Sequence, residues 1–163
     1  MITSITCLSY EVMLERARDH GIPANAFVIS IVDPEHEPIF ERDTDRIITL
    51  RFHDLDAQWP VDPERDPRPS YVFMNQEDAN RIVNHVVKFH EHPEPWEFLV
   101  NCMAGISRSG AVGTFVQRVA GIPAEQFLTQ NTGLRPNPYV LKLLMSELTR
   151  RHGWDWSRPM LRA

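Results

Sequence analysis

Residues 96–120 read WEFLVNCMAGISRSGAVGTFVQRVA, and the period of their apolar residues changes part-way along. Trp96 to Val100 is a short apolar run of strand character, whereas Val112, Phe115, Val116 and Val119 recur at helical spacing and stop before Gly121. Strand therefore gives way to helix across NCMAGISRSG, with Cys102 at the strand's C-terminal end and the helix beginning near Arg108. In open α/β sheets that edge is where ligands bind. This one segment predicts both a class of fold and a place for its site.

The rest of the chain agrees with it. Ile2 to Cys7, Phe27 to Val32 and Ile47 to Phe52 are further apolar, β-branched runs bounded by turn-forming or charged residues, and each predicts a strand. Ser9 predicts the cap of a helix over Tyr10 to Asp19, ended by Gly21 and Pro23. Asn75 with Asp78 starts a second helix whose apolar face is Ile82, Val83, Val86 and Val87. Pro123 takes the first position of a short helix, and Asn137 followed by Pro138 opens a last one with Leu141, Leu144, Met145 and Leu148 on one face. Alternating strands and helices predict an α/β domain spanning residues 1–163. Its mainly parallel sheet of about four or five strands carries helices on both faces. The segment 53–70, HDLDAQWPVDPERDPRPS, is so rich in proline and charge that it reads as a long surface loop.

Composition narrows the partners. Lys and Arg number 17 against 22 Asp and Glu, a formal net charge of −5, and no basic block stands out. That balance disfavours nucleic acid and anionic membranes. The first residues lack a basic segment followed by a long apolar core, and no run of about 18 apolar residues occurs. The expectation is a soluble, cytoplasmic protein. Cys7 and Cys102 are far apart, so free thiols are the simpler reading, with Cys7 as a small buried hydrophobe.

The residues from Cys102 to Ser109 have a chemistry of their own. Met103, Ala104, Gly105, Ile106 and Ser107 can turn their backbone N–H groups inward, and the free N–H groups of the next helix point the same way. Gly105 permits a left-handed turn where a Cβ would clash. Arg108 adds a planar, permanently charged fork suited to two phosphate oxygens. The same positive field favours the Cys102 thiolate, so anion binding and nucleophile activation share one cause. Ser109 can donate a hydrogen bond to the sulfur. The bland alternatives are an N-cap role for Ser107 or Ser109 and a packed thiol at Cys102.

Val100, Cys102, Gly105, Arg108 and Ser109 match the signature of the cysteine-dependent protein tyrosine phosphatases, and the chain's size resembles the dual-specificity-type branch. The resemblance extends to Phe52-His53-Asp54, similar to that family's acid strand and loop, and to Arg135-Pro136-Asn137-Pro138, similar to the elements before its last helix. It covers roughly residues 26–150. One position departs: the family usually places histidine directly before the cysteine, and here stands Asn101. An amide can bond neighbouring backbone and hold the loop, but it carries no charge to help the thiolate.

The resemblance implies attack of Cys102 on phosphorus, with Arg108 and the loop amides on the equatorial oxygens. Asp54 would be general acid and base, Asp56 its rival and His53 a third possibility. It implies a phosphorylated protein or peptide as substrate, with phosphotyrosine first and phosphoserine or phosphothreonine as further possibilities. Uncharged Met103, Ala104 and Ile106 disfavour a polyphosphorylated lipid head group. A sulfurtransferase is a second enzyme reading, and a catalytically weak module that captures phosphoproteins is a reading from another class, kept open by Asn101. His85, His90 and His92 lack metal-ligand spacing, so neither a metal nor an organic cofactor is expected.

Overall fold

The run Ala26–Val32 forms strand β2 and is buried along its whole length. A parallel strand covered on both faces has this pattern. Ala26 and Val28 point to one side, where they meet Met13 and Leu99, while Phe27, Ile29 and Ile31 point to the other and join the main core. The computed structural model describes residues 1–55 and 71–155. Most of the proline-rich segment, with Asp56, lies outside the described residues, so its reading as a surface loop does too.

β2 pairs in parallel with β3 (Ile47–Arg51), Val28 opposite Ile47, and with β4 (Trp96–Asn101), Phe27 opposite Phe98. On its far side β4 pairs in parallel with β1 (Ile2–Leu8), giving the order β1-β4-β2-β3. All four expected strands are present, each within a residue of its expected ends.

Helices cover both faces unequally. α1 (Tyr10–Asp19) is capped by Ser9, which accepts from the Val12 N–H, and it sets Met13 into the smaller core with Ile22, Ile39 and Phe40 around it. The other face is covered by α2 (Gln76–His90), α3 (Arg108–Ala120), α4 (Ala124–Gln130) and α5 (Pro138–His152). At the start of α2, Asn75 and Asp78 form the reciprocal capping box. α3 ends on Gly121 in the left-handed conformation, φ 67°.

Two expectations need correction. Pro123 caps α4 from outside instead of opening it. On α5 the buried set is Val140, Leu144, Glu147 and Leu148, with Leu141 and Met145 only partly covered. Hydrophobicity could not reveal Glu147 as a core position. Its carboxylate is 1 % exposed yet satisfied by the Gln76 amide and by Arg150 Nε at 2.9 Å and Nη2 at 2.7 Å.

Because every neighbouring pair is parallel, the strands all end at one edge of the sheet. The residues that follow those ends, Ser9, Asp33, Phe52 to Asp54 and Cys102, are brought together there whatever their separation in sequence.

Candidate active site

Cys102 leaves β4 at that edge, 1 % exposed, and donates its backbone N–H to the Leu8 carbonyl at 3.3 Å. The residues after it are clamped on two sides. Met103 O accepts from Tyr10 N at 3.2 Å, Ile106 O from Arg135 N at 3.2 Å, and Ser107 O from Asn137 N at 3.1 Å. Gly105 has φ +75°, and a Cβ there would lie 2.6 Å from Ser9 N and 2.7 Å from the Leu8 carbonyl carbon. The expectation of a glycine-only position is met, with the end of β1 as its second cause. Ala104 and Ile106 are exposed and Met103 is half-buried.

Arg108 opens α3 with its side chain only 4 % exposed. Nη1 donates to Asp33 Oδ1 at 2.5 Å and to the Phe52 carbonyl at 2.5 Å. Its buried Nε has no partner among the described residues. Ser109 Oγ lies 3.2 Å from Cys102 Sγ, the contact expected of it. Ser107, at the helix's N-cap position, makes no capping bond and donates its hydroxyl to Asp54 Oδ1 at 2.8 Å. The capping roles offered as bland alternatives are therefore not what these serines do.

Asp54 is drawn to the loop a second time, since Asn137 Nδ2 donates to the same Oδ1 at 2.8 Å and to the Leu55 carbonyl at 3.0 Å. His53 is occupied elsewhere. Its Nδ1 accepts from Val72 N at 3.0 Å, so Nε2 carries the hydrogen toward Glu35 Oε2 at 3.1 Å. Its backbone N–H also donates to Val72 O at 2.8 Å, so His53 ties the chain after β3 to the residues that lead into α2.

Cys7 is partly buried against the main core, with Sγ 3.4 Å from the Ser109 carbonyl. Burial, and then the nearby Cys102, push its thiol up to about 12. Asn101 departs from expectation. It is 0 % exposed and neither amide atom has a partner among the described residues. Successive strand residues face opposite sides, so Val100 and Cys102 join the main core while Asn101 turns away beside Ser30, its register partner. Its amide does not brace the loop.

His85 stacks on Phe27 at 4.9 Å, and His92 Nδ1 accepts from Trp96 Nε1 at 3.0 Å. For His90, burial and then the N-terminal charge lower the pKa. His85 and His92 are thus each engaged with an aromatic side chain. Among the described residues, the groups close enough to share a cation are Asp33, Glu35 and His36, with ligand atoms within 4.8 Å, and Asp33 is already engaged by Arg108.

A thiol, a hydroxyl, a buried guanidinium with an N–H that has no partner among the described residues, and a carboxylate thus share one edge. They can supply a nucleophile, hydrogen-bond donors to an anion and a proton carrier. Sequence reasoning missed Asp33, an acid directly after the run Ala26–Val32.

No protein-family model and no curated protein matches the sequence. Among solved structures the chain is similar to the PTP-2 phosphatase of Cydia pomonella, with a TM-score of 0.55, 17 % identity, and 88 % of this chain covering 85 % of that one. The chain has a phosphatase-like fold. PTPMT1 also matches, with a TM-score of 0.46 and 17 % identity over 92 % of this chain and 94 % of that one. Its complex with PI(5)P matches with a TM-score of 0.46 and 15 % identity over 92 % and 93 % of the two chains. Among the described residues no helix is long and apolar enough to cross a membrane.

Proposed function

We propose that this chain is a cysteine-dependent protein phosphatase acting on phosphotyrosine in a soluble, cytoplasmic setting, with phosphoserine and phosphothreonine open to the same chemistry. The observation that carries this reading is Arg108. Its guanidinium is buried and held by Asp33 and Phe52 O, yet among the described residues its buried Nε–H has no partner, one residue before the serine that touches Cys102 Sγ. A buried cationic N–H left unpaired is costly, and an anion seated in the loop removes that cost.

In this reading Arg108 and the backbone N–H groups of Met103 to Ser107 hold the phosphoryl oxygens. The Cys102 thiolate attacks phosphorus, the S–P bond forms, and the P–O bond to the leaving group breaks. Asp54 gives its proton to the departing oxygen. Water then attacks the phosphocysteine as Asp54 takes a proton back, and the thiolate leaves with the Ser109 hydroxyl donating to it.

Turnover of para-nitrophenyl phosphate and of phosphotyrosyl peptides tests this directly. Cys102→Ser is expected to abolish turnover and keep peptide binding. A wild type that binds phosphopeptide but shows no turnover above buffer from about pH 5 to about pH 8 overturns it and favours a capture module.

A further inference from the structure

We infer that Asn137 is a positioning residue that seats Asp54 for proton transfer and assigns the transferred proton to Oδ2. The inference rests on the phosphatase reading. Asn137 is 4 % exposed and uses both ends of its amide. Oδ1 accepts from Val140 N at 3.1 Å and caps α5, while Nδ2 donates to Asp54 Oδ1 at 2.8 Å and to the Leu55 carbonyl at 3.0 Å. Its own backbone N–H donates to Ser107 O at 3.1 Å. One residue thus joins the last helix, the loop and the acid.

Asp54 Oδ1 accepts a second bond from Ser107 Oγ at 2.8 Å, whereas Oδ2 has no partner among the described residues. An oxygen that already accepts two donors is the poorer place for a proton, so the proton resides on the other oxygen. Asp54 is an exposed residue just past a strand, and exposed carboxylates sample many rotamers. The two donors fix one rotamer before substrate arrives, as effective proton transfer requires. Aligned this way, the carboxyl protonates the leaving oxygen as the P–O bond breaks, and the proton lost from Oδ2 is regained from water in the second step.

The two ends of the amide can be separated by mutation. Asn137→Asp and Asn137→Ser keep an oxygen able to cap Val140, but the first sets a carboxylate oxygen where Nδ2 donated and the second, with its shorter side chain, withdraws its hydroxyl from Asp54. Each variant, with Asp54→Asn beside it, is assayed on para-nitrophenyl phosphate, a good leaving group, and on phenyl phosphate, a poor one. Because general acid catalysis contributes about 10² to 10⁴-fold, both Asn137 variants are expected to lose about 10²-fold or more on phenyl phosphate. On para-nitrophenyl phosphate they should stay within a few-fold, with a lower melting temperature, since the Leu55 carbonyl also loses its donor, but a cooperative unfolding transition. The basic limb of their pH profile should fade, as in Asp54→Asn.

If Asp54→Asn shows the leaving-group effect and the folded Asn137 variants do not, the positioning role is wrong while the acid assignment stands. Equal losses on both substrates reveal a structural role only and also overturn it. If Asp54→Asn shows no leaving-group effect, the acid assignment falls and this inference with it. A wild type without turnover removes the phosphatase reading first.

Discussion

Replacing Gly105 by alanine tests whether the end of β1 shapes the loop around Cys102. Two costs are separable. With φ at +75°, a Cβ brings left-handed strain of about 1–2 kcal/mol. It would also sit 2.6 Å from Ser9 N and 2.7 Å from the Leu8 carbonyl carbon, both backbone atoms that cannot rotate away. Forcing them apart adds about 1–3 kcal/mol, as other overpacked sites do. The expected loss is about 2–5 kcal/mol, or about 4–20 °C of melting temperature for a chain of this size. Gly133→Ala carries the strain alone, because φ is +74° and nothing lies within 4 Å, so about 1–2 kcal/mol is expected. Gly110→Ala lies in α3 with its nearest neighbour, Leu134 Cδ2, at an ordinary 3.5 Å, and should gain about 0.5–1 kcal/mol from helix propensity. Thermal unfolding of the three variants, with and without inorganic phosphate, reads both stability and the loop. Only Gly105→Ala should lose the phosphate-dependent rise. A Gly105→Ala variant no less stable than Gly133→Ala refutes the claim that β1 constrains the loop.

Asp33→Asn leaves the Arg108 guanidinium without its carboxylate at 4 % side-chain exposure; with Asp33 itself 22 % exposed, the expected loss is about 2–3 kcal/mol. Added phosphate should raise the melting temperature of Asp33→Asn more than that of wild type, since the anion takes over the missing charge, and an equal rise contradicts an anion site at Arg108. With its thiol pushed up to about 12 by burial and then by Cys102, Cys7 keeps its proton in the fold. Iodoacetamide at neutral pH should therefore spare Cys7 until denaturant is added, as mass spectrometry of the labelled peptides will show. The sign for stability follows from the same shift. Cys7's contribution is fully present below the ordinary thiol pKa of about 8.5 and is lost as pH rises through the folded value, so Cys7→Ala should flatten the alkaline limb of the melting curve.

What could be read from the sequence, and what could not, divides along one physical line. Each expected strand rests on an apolar pattern within a few residues, and each helix on local spacing and caps: Ser9 to Val12, Asn75 to Asp78, the helical spacing of Val112 to Val119. The loop was legible for the same reason, since thiol, glycine, guanidinium and hydroxyl occupy consecutive turns of one short segment. Asp33 was not, because it meets Arg108 across 75 positions and its local context is an unremarkable strand end. Only the parallel order β1-β4-β2-β3, which gathers four strand ends at one edge, makes that meeting necessary. Asn137 shows the limit differently. Its capping role was legible from Pro138 and the helical pattern beyond, but a cap uses one end of an amide, and the other end reaches Asp54 across 83 positions. Asn101 failed in the opposite direction: the sequence offered it backbone partners, and strand alternation turned it away from them toward Ser30. Residues whose roles are local declare themselves in order along the chain, whereas those that position the candidate chemistry do so only once the sheet has decided which strand ends are neighbours.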